Sequence, residues 1–178
     1  MGNSRSELEM LAVFAKHKPD FEPDTKAEYS NTNFVLLGYI IEKITGEPYQ
    51  EQLKKRITSK IGLADTYYGS KTNPLIDEAY SYSYSNAHWA QMPETNMSIP
   101  GGAGAIVSTP TDLVKFIEAL FAGKLIRQVD LEQMKTIKDN YGMAMFSIPF
   151  YEKKDTGTTE VSTDFQARSF IFQKTNCQ

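Results

Sequence analysis

The sequence predicts an α+β chain in which helices come first and an antiparallel sheet begins late. Three observations carry that expectation. Apolar residues recur at helical spacing in successive stretches up to residue 138, and beyond residue 139 they give way to short aromatic-rich segments suited to strands. A length of 178 residues, 40% hydrophobic and 23% charged, suffices for one core, so a single domain is expected. Its parts are a helical region over 1–138, interrupted by a tyrosine-rich excursion over 62–100, and the start of a sheet over 139–178. No internal repeat appears.

From Ser6, the residues Leu8, Leu11, Val13 and Phe14 follow helical spacing until Pro19, and residues 19–24 form a proline-broken turn leading to Tyr29. Ser30 or Asn31 can cap the next helix, which carries Phe34, Leu37, Ile40, Ile41 and Ile44 and stops at Gly46, where a left-handed residue is wanted. Pro48 suits the first turn of another, with Tyr49, Leu53, Ile57 and Ile61 on one face and Lys54, Lys55 and Arg56 on a solvated one. Tyr67, Tyr68, Tyr80, Tyr82 and Tyr84, mixed with Ser, Asn and Pro, mark an ordered excursion whose tyrosines either line a cleft or staple a long loop.

Gly101-Gly102-Ala103-Gly104 lacks the spacing of a phosphate-binding turn, and tight backbone packing is the better account. A further helix begins with Thr109 as cap, Pro110 in the first position and Asp112 near the positive end of the dipole. Leu113, Phe116, Ile117 and Leu120 form its buried stripe, and Gly123 ends it. A short helix over 131–137 precedes strands at 141–146 and 167–172, with the turn-prone polar segment 155–164 between them.

Composition excludes several classes. A net charge of -3 and a pI near 5.5 provide no basic stripe for a nucleic-acid partner. The single Cys177 excludes an internal disulfide framework and a multi-cysteine metal site, while His17 and His88 read as surface or loop residues, so neither metal nor cofactor is expected. No signal-peptide core is present, and nowhere do about 18 uncharged apolar residues run together, so this chain alone is expected neither to be exported nor to span a membrane.

The candidate chemistry lies at Tyr29-Ser30-Asn31, where a phenol and a carboxamide flank a helix N-terminus and can sit over one acyl group. A tyrosine acting as proton shuttle needs a nucleophile to serve, and its usual companion is Ser-x-x-Lys, one helical turn long. That pattern is absent from the 178 residues. Ser30 reads as a cap, since no His or Lys stands at a spacing that would activate it. The free phenol, with a pKa of about 10, would need neighbouring cations to act as a base near neutrality.

The ordered string Phe21-Glu22-Pro23-Asp24-Thr25-Lys26, Tyr29-Ser30-Asn31-Thr32-Asn33 and Leu36-Leu37-Gly38-Tyr39-Ile40-Ile41-Glu42-Lys43-Ile44-Thr45-Gly46 resembles the penicillin-binding-protein-like serine hydrolases. These are the family of class C β-lactamases, D-alanyl-D-alanine carboxypeptidases and related esterases. The likeness continues from Gly102 through Asp112 to Leu125-Ile126. It implies a serine that attacks an amide or ester carbonyl, with a lysine and the tyrosine sharing the proton work. Tyr29 would then be the general base or acid, and Asn31 the partner of the substrate amide and the lysine.

The family's third motif, Lys-Thr-Gly or His-x-Gly on a strand beside the acyl group, has Asp155-Thr156-Gly157 as its nearest equivalent, making Thr156 and Gly157 candidate substrate-binding residues. An alternative alignment through Phe165-Gln166 puts Thr158, Thr159 and Glu160 there. Only 28 residues precede Tyr29, and the chain stops at Gln178, where the resemblance would add a strand and a terminal helix. The expectation is therefore an internal piece of a serine hydrolase, inactive as it stands, whose completed form takes a small-molecule or peptide acyl substrate. The alternative is a non-catalytic ligand-binding or interaction module on the same fold. An unpaired sheet edge and an uncovered apolar face would favour a homodimer or strand exchange. Full-length members of the family are often exported or periplasmic.

Overall fold

In the computed structural model, α1 (Glu7–Phe14) starts at a capping box in which the Ser6 hydroxyl accepts from the Glu9 amide at 3.3 Å and the Glu9 carboxylate accepts from the Ser6 amide at 2.7 Å. Residues 3–76, 78–138, 141–150, 153–161 and 166–171 are described, from Phe146 onward by their backbone alone. The Arg5 amide donates to Ser98 Oγ at 3.0 Å and ties the start of α1 to the later excursion.

The second helix, α2 (Asn31–Thr45), ends at Gly46 in the left-handed region, φ 67°, whose amide reaches back to the Glu42 carbonyl at 2.8 Å. Its apolar face differs from the sequence expectation. Val35 and Gly38 are the buried positions, whereas Leu37, Ile40 and Ile44 are 50%, 49% and 78% exposed. The reason lies in what the helix packs against: α2 rests on the tight turn Gly101–Ala103, and only a face as small as Gly38 allows that approach.

Glu42 also accepts from the Tyr49 amide at 2.8 Å, so α2 supplies the N-terminal cap of α3 (Tyr49–Leu53) while Pro48 stands at the cap position itself. The helical path continues through a π turn, Lys54–Thr58, into α4 (Ser59–Ile61) and closes at Gly62, φ 69°. Leu53 is buried there and Lys54, Lys55 and Arg56 are solvated, as expected.

The excursion leaves and returns through one short pairing, β1 (Tyr67–Tyr68) antiparallel to β4 (Ile106–Val107), extended by Gly69 N–H to the Ala105 carbonyl at 2.7 Å. Two of its tyrosines are staples: Tyr67 donates to Glu78, and Tyr68 donates to the Met97 carbonyl at 2.8 Å. Between them stands a hairpin, β2 (Tyr82–Ser85) with β3 (His88–Gln91), turned by Asn86 and Ala87 with φ of 51° and 59°. Tyr84 stacks on its cross-strand partner Trp89, ring centroids 4.9 Å apart.

The helix α5 (Pro110–Phe121) follows its sequence code: Thr109 Oγ1 accepts from the Asp112 amide at 3.3 Å, Pro110 opens the first turn, and Gly123 closes the end at φ 70°. Leu120 joins Leu131 of α6 (Gln128–Met134) and Met145 in the core, flanked by Phe116, Phe121, Leu125, Ile126 and Met134. Compared with the expected 131–137, α6 begins and ends three residues earlier.

The sheet is a three-stranded antiparallel meander, β5 (Phe146–Phe150), β6 (Lys153–Val161) and β7 (Gln166–Ile171), with β6 in the centre. Two expectations are corrected. The first strand starts at Phe146, since Met145 is buried in the helical core and Tyr141 pairs in an isolated bridge with Lys138. Most of the supposed turn over 155–164 is strand: β6 is paired on both sides, to β5 and β7, and that pairing overrides the local preference of Asp155 and Gly157. Phe172 and Cys177 lie outside the described residues.

Candidate active site

Tyr29 and Asn31 are brought together. The Tyr29 hydroxyl donates to Asn31 Oδ1 at 2.7 Å, and Tyr29 remains 51% exposed. The geometry follows from the local chain. Ser30, extended at φ -148° and ψ 128°, is the cap residue by backbone, but its hydroxyl makes no capping bond. The turn therefore directs the side chains on either side of Ser30 toward each other, and Asn31 spends its carbonyl oxygen on the phenol.

The first turn of α2, which begins two residues after Tyr29, contains no acidic residue. Phe34, which the sequence reading counted among the apolar residues of this helix, also belongs to this site. Its ring lies against that of Tyr29, centroids 5.6 Å apart at 37°. Upstream, the Thr25 hydroxyl donates to the Glu22 carbonyl at 2.7 Å, and Lys26 sits 4.7 Å from the Phe21 ring centroid while pairing with Glu28 at 2.8 Å. These contacts order the turn that presents Tyr29.

The tripeptide alone does not make the site. Tyr84-Ser85-Asn86 spells the same three residues, yet there Tyr84 and Ser85 are strand and Asn86 is a left-handed turn residue. Of the two copies, it is the one at a helix N-terminus that brings the phenol onto the carboxamide, at 2.7 Å.

Thr156 and Gly157 lie mid-way along β6, where Thr156 pairs with Ser147 and Ile171, and Gly157 with Phe146 and Phe170. Thr158, Thr159 and Glu160, the alternative alignment, are on the same strand. Their side chains lie outside the described set, so strand and register are what the backbone establishes for them.

Asp112 has a larger structural role than the helix dipole suggested. It is 1% exposed and accepts from the Asp65 amide at 2.9 Å, Thr66 Oγ1 at 3.0 Å and Lys115 Nζ at 3.1 Å. Burial pushes its carboxyl up, but the bonds from Asp65, Lys115 and Thr66 outweigh that and hold it below the ordinary carboxylate value. Asp112 thus fastens α5 to the segment before β1, buried away from the Tyr29 surface.

A cavity of about 620 Å³, lined among others by Lys54, Thr58, Leu63, Thr66 and Tyr67, includes neither Tyr29 nor Asn31. Among the described residues no group of three or more His, Cys, Asp or Glu stands together to hold a metal, and no helix is long and apolar enough to cross a membrane.

Comparison with known proteins gives this geometry a context. The solved D-stereospecific amidohydrolase from Streptomyces sp. superimposes with a TM-score of 0.83 at 29% identity, over 96% of this chain and 54% of its own. The D-amino acid amidase from Ochrobactrum anthropi SV3, complexed with D-phenylalanine, gives a TM-score of 0.72 at 31% identity over 89% of this chain and 51% of its own. Among curated relatives, "Putative penicillin-binding protein PbpX" of Bacillus subtilis (strain 168) is 31% identical over 126 residues, 68% of this chain and 32% of that protein. The chain thus spans about a third of that relative's length and about half of the two solved ones. The Beta-lactamase family model matches residues 2–159, and the chain belongs to that family of β-lactamase and penicillin-binding-protein-like serine hydrolases.

Proposed function

We propose that Tyr29 and Asn31 serve acyl transfer to water: the phenol relays the proton of a serine nucleophile, and the carboxamide orients both phenol and substrate. The single observation that carries this reading is the 2.7 Å bond from the Tyr29 hydroxyl to Asn31 Oδ1 at the exposed N-terminus of α2. With Oδ1 taken, the Asn31 amide group keeps its N–H donors for an acyl oxygen. The phenol oxygen keeps lone pairs to receive a proton, and because donation to Asn31 Oδ1 holds the protonated phenol, a neighbouring cation is needed to draw it into its ionised form.

The nucleophile of such a reaction must come from outside these 178 residues, which contain no Ser-x-x-Lys. The substrates to try first are amides of D-configured amino acids, since the solved relative at 31% identity is named a D-amino acid amidase and the one at 29% a D-stereospecific amidohydrolase, followed by D-alanyl-D-alanine peptides, β-lactams and aryl esters. Thr156 and Gly157 on β6 are proposed to flank the acyl group.

The test is turnover by the chain supplied with a Ser-x-x-Lys segment, covalently or as a separate polypeptide. Tyr29→Phe is expected to lower the acylation rate by about 10²–10⁴-fold while the fold persists. Unchanged turnover in Tyr29→Phe would refute its role. Burst acylation by the 178-residue chain alone would show that a different nucleophile operates.

Assembly belongs to the same proposal. Leu37, Ile40 and Ile44 share one solvent-facing side of α2, and we infer that this stripe is covered in the functional protein, by a second copy or by the remainder of the fold. Light scattering that gives a single monomer mass at all concentrations would exclude the second copy.

A further inference from the structure

We propose that Gly102 is a positioning residue for the Tyr29–Asn31 pair, acting through the first turn of α2. The inference takes its catalytic meaning from the function proposed above, but its geometry stands independently.

Two glycines let backbones touch. A Cβ built on Gly102 would lie 2.5 Å from the Phe34 carbonyl oxygen and 3.3 Å from both N and Cα of Gly38, and one built on Gly38 would lie 3.3 Å from the Gly102 nitrogen. The partner atoms are backbone, so a methyl group at Gly102 cannot be absorbed by a rotamer change. The Phe34 carbonyl is moreover the helical acceptor position for the Gly38 amide four residues on, so the methyl would sit against that bond.

The turn that carries Gly102 is itself fixed. Gly101 N–H reaches the Met97 carbonyl at 3.1 Å, Ala103 N–H the Pro100 carbonyl at 2.7 Å and Ala105 N–H the Gly101 carbonyl at 3.1 Å. Ala105 is buried, and its carbonyl is held by the Gly69 amide beside β1. Gly101 also occupies φ 44°, which side chains seldom adopt. The turn is therefore an abutment, and α2 is the part that must move.

What moves first is the residue that backs the site. Phe34 contributes its carbonyl to the contact with Gly102 and its ring to the contact with Tyr29, 5.6 Å between centroids, and it lies three residues after Asn31 in the same helical turn. Displacing its backbone shifts the ring behind the phenol and the carboxamide in front of it. A misplacement of about 1 Å can cost on the order of 10²-fold in a rate that depends on alignment. This would make Gly102 sensitive for catalysis although it touches no substrate.

The decisive measurement uses the 178-residue chain and needs no turnover: NMR of tyrosine 13Cζ and asparagine side-chain amides, with the Tyr29 signal assigned through Tyr29→Phe. Gly102→Ala should move the Tyr29 and Asn31 signals, with the Tyr67 and Tyr84 signals unmoved. Gly38→Ala, with its milder 3.3 Å contact, should produce a smaller shift of the same kind. Gly104→Ala should produce none, since its Cβ would meet only Pro100 Cβ at an ordinary 3.5 Å.

Unchanged Tyr29 and Asn31 signals in folded Gly102→Ala would overturn the proposal, as would a general shift of all tyrosines. If Gly102→Ala does not fold, Gly38→Ala decides by the same criteria. Failure of the hydrolase reading would appear elsewhere, as Tyr29→Phe without loss of turnover.

Discussion

The helices α2 and α5 both carry apolar stripes in the sequence, the sharper one on α5, and the stripe of α5 is the better covered. In α5 the expected residues Ile117 and Leu120 are buried, and Leu120 meets Leu131 and Met145 in the core. In α2 the expected residues Leu37, Ile40 and Ile44 are 49% exposed or more, and the helix docks through Val35 and Gly38 instead. Periodicity identifies a side of a helix that avoids water; it does not say whether the covering element lies in the same chain. The difference also separates two tasks: α5 anchors, and α2 presents a site at its N-terminus.

The largest effects should appear at the anchoring end. Leu131, 1% exposed, is in the centre of that core, and Leu131→Ala should cost about 2–5 kcal/mol, read from urea or thermal unfolding. A loss much below this range would mean that α6 is loosely held and that the comparison with α2 is overdrawn.

Asp112 comes next, because it joins α5 to Asp65 and Thr66 before β1. Asp112→Asn keeps one acceptor but loses the charge opposite Lys115, and it should lower Tm by roughly 5–10 °C at pH 7. The folded carboxyl lies below its ordinary value of 3.8, so its contribution is present above that value and disappears as pH falls through the lower folded one. Circular dichroism against pH should therefore show wild type and Asp112→Asn converging below pH 3.8. A gap that persists there would assign the effect to packing.

How far these roles could be read in advance depended on the range of the interaction. Thr109, Pro110 and Asp112 encode a helix start within four residues, and α5 begins where they place it. Gly46 and Gly123 likewise end helices by a local conformational requirement. The 2.7 Å pairing of Tyr29 with Asn31 is local too, but its meaning came from the surrounding string, since Tyr84-Ser85-Asn86 repeats the letters in a hairpin. The bonds of Asp112 to residues 65 and 66 span tens of residues and no pattern in one sequence announces them, while the run Gly101-Gly102-Ala103-Gly104 pointed to tight backbone packing without naming Phe34 as its partner. In β6, Asp155 and Gly157 suggested a turn because local preference was weighed without the pairing to β5 and β7 that decides it.

A smaller effect is expected in the excursion, where Tyr67 donates to Glu78. That bond, together with burial and the Glu78 charge, pushes the phenol from 10.0 up to about 12. A raised folded value means that the stabilisation is complete below pH 10 and is lost as pH rises through about 12. Tyr67→Phe should lower Tm by about 1–3 °C at pH 8, and the gap should narrow in the alkaline range. A constant gap would show that the hydroxyl contributes by something other than its protonated bond to Glu78.

The smallest stability effect should come from the uncovered stripe, and it probes the comparison most directly. Leu37→Ser and Ile40→Ser replace residues that are 50% and 49% exposed, so each should change unfolding free energy by about 0.5 kcal/mol or less at low protein concentration. Changes at Leu131, by contrast, act at every concentration. If the stripe is an interface between copies, the double variant should weaken self-association in sedimentation velocity while leaving the monomer's unfolding curve in place. Loss of monomer stability approaching that of Leu131→Ala would mean that α2 buries this face within the folded monomer, and the distinction between a covered and an uncovered helix would fail. Intact monomer stability with unchanged association would leave α2 uncovered but assign its partner to the remainder of the family fold, a result that co-expression with that remainder would extend.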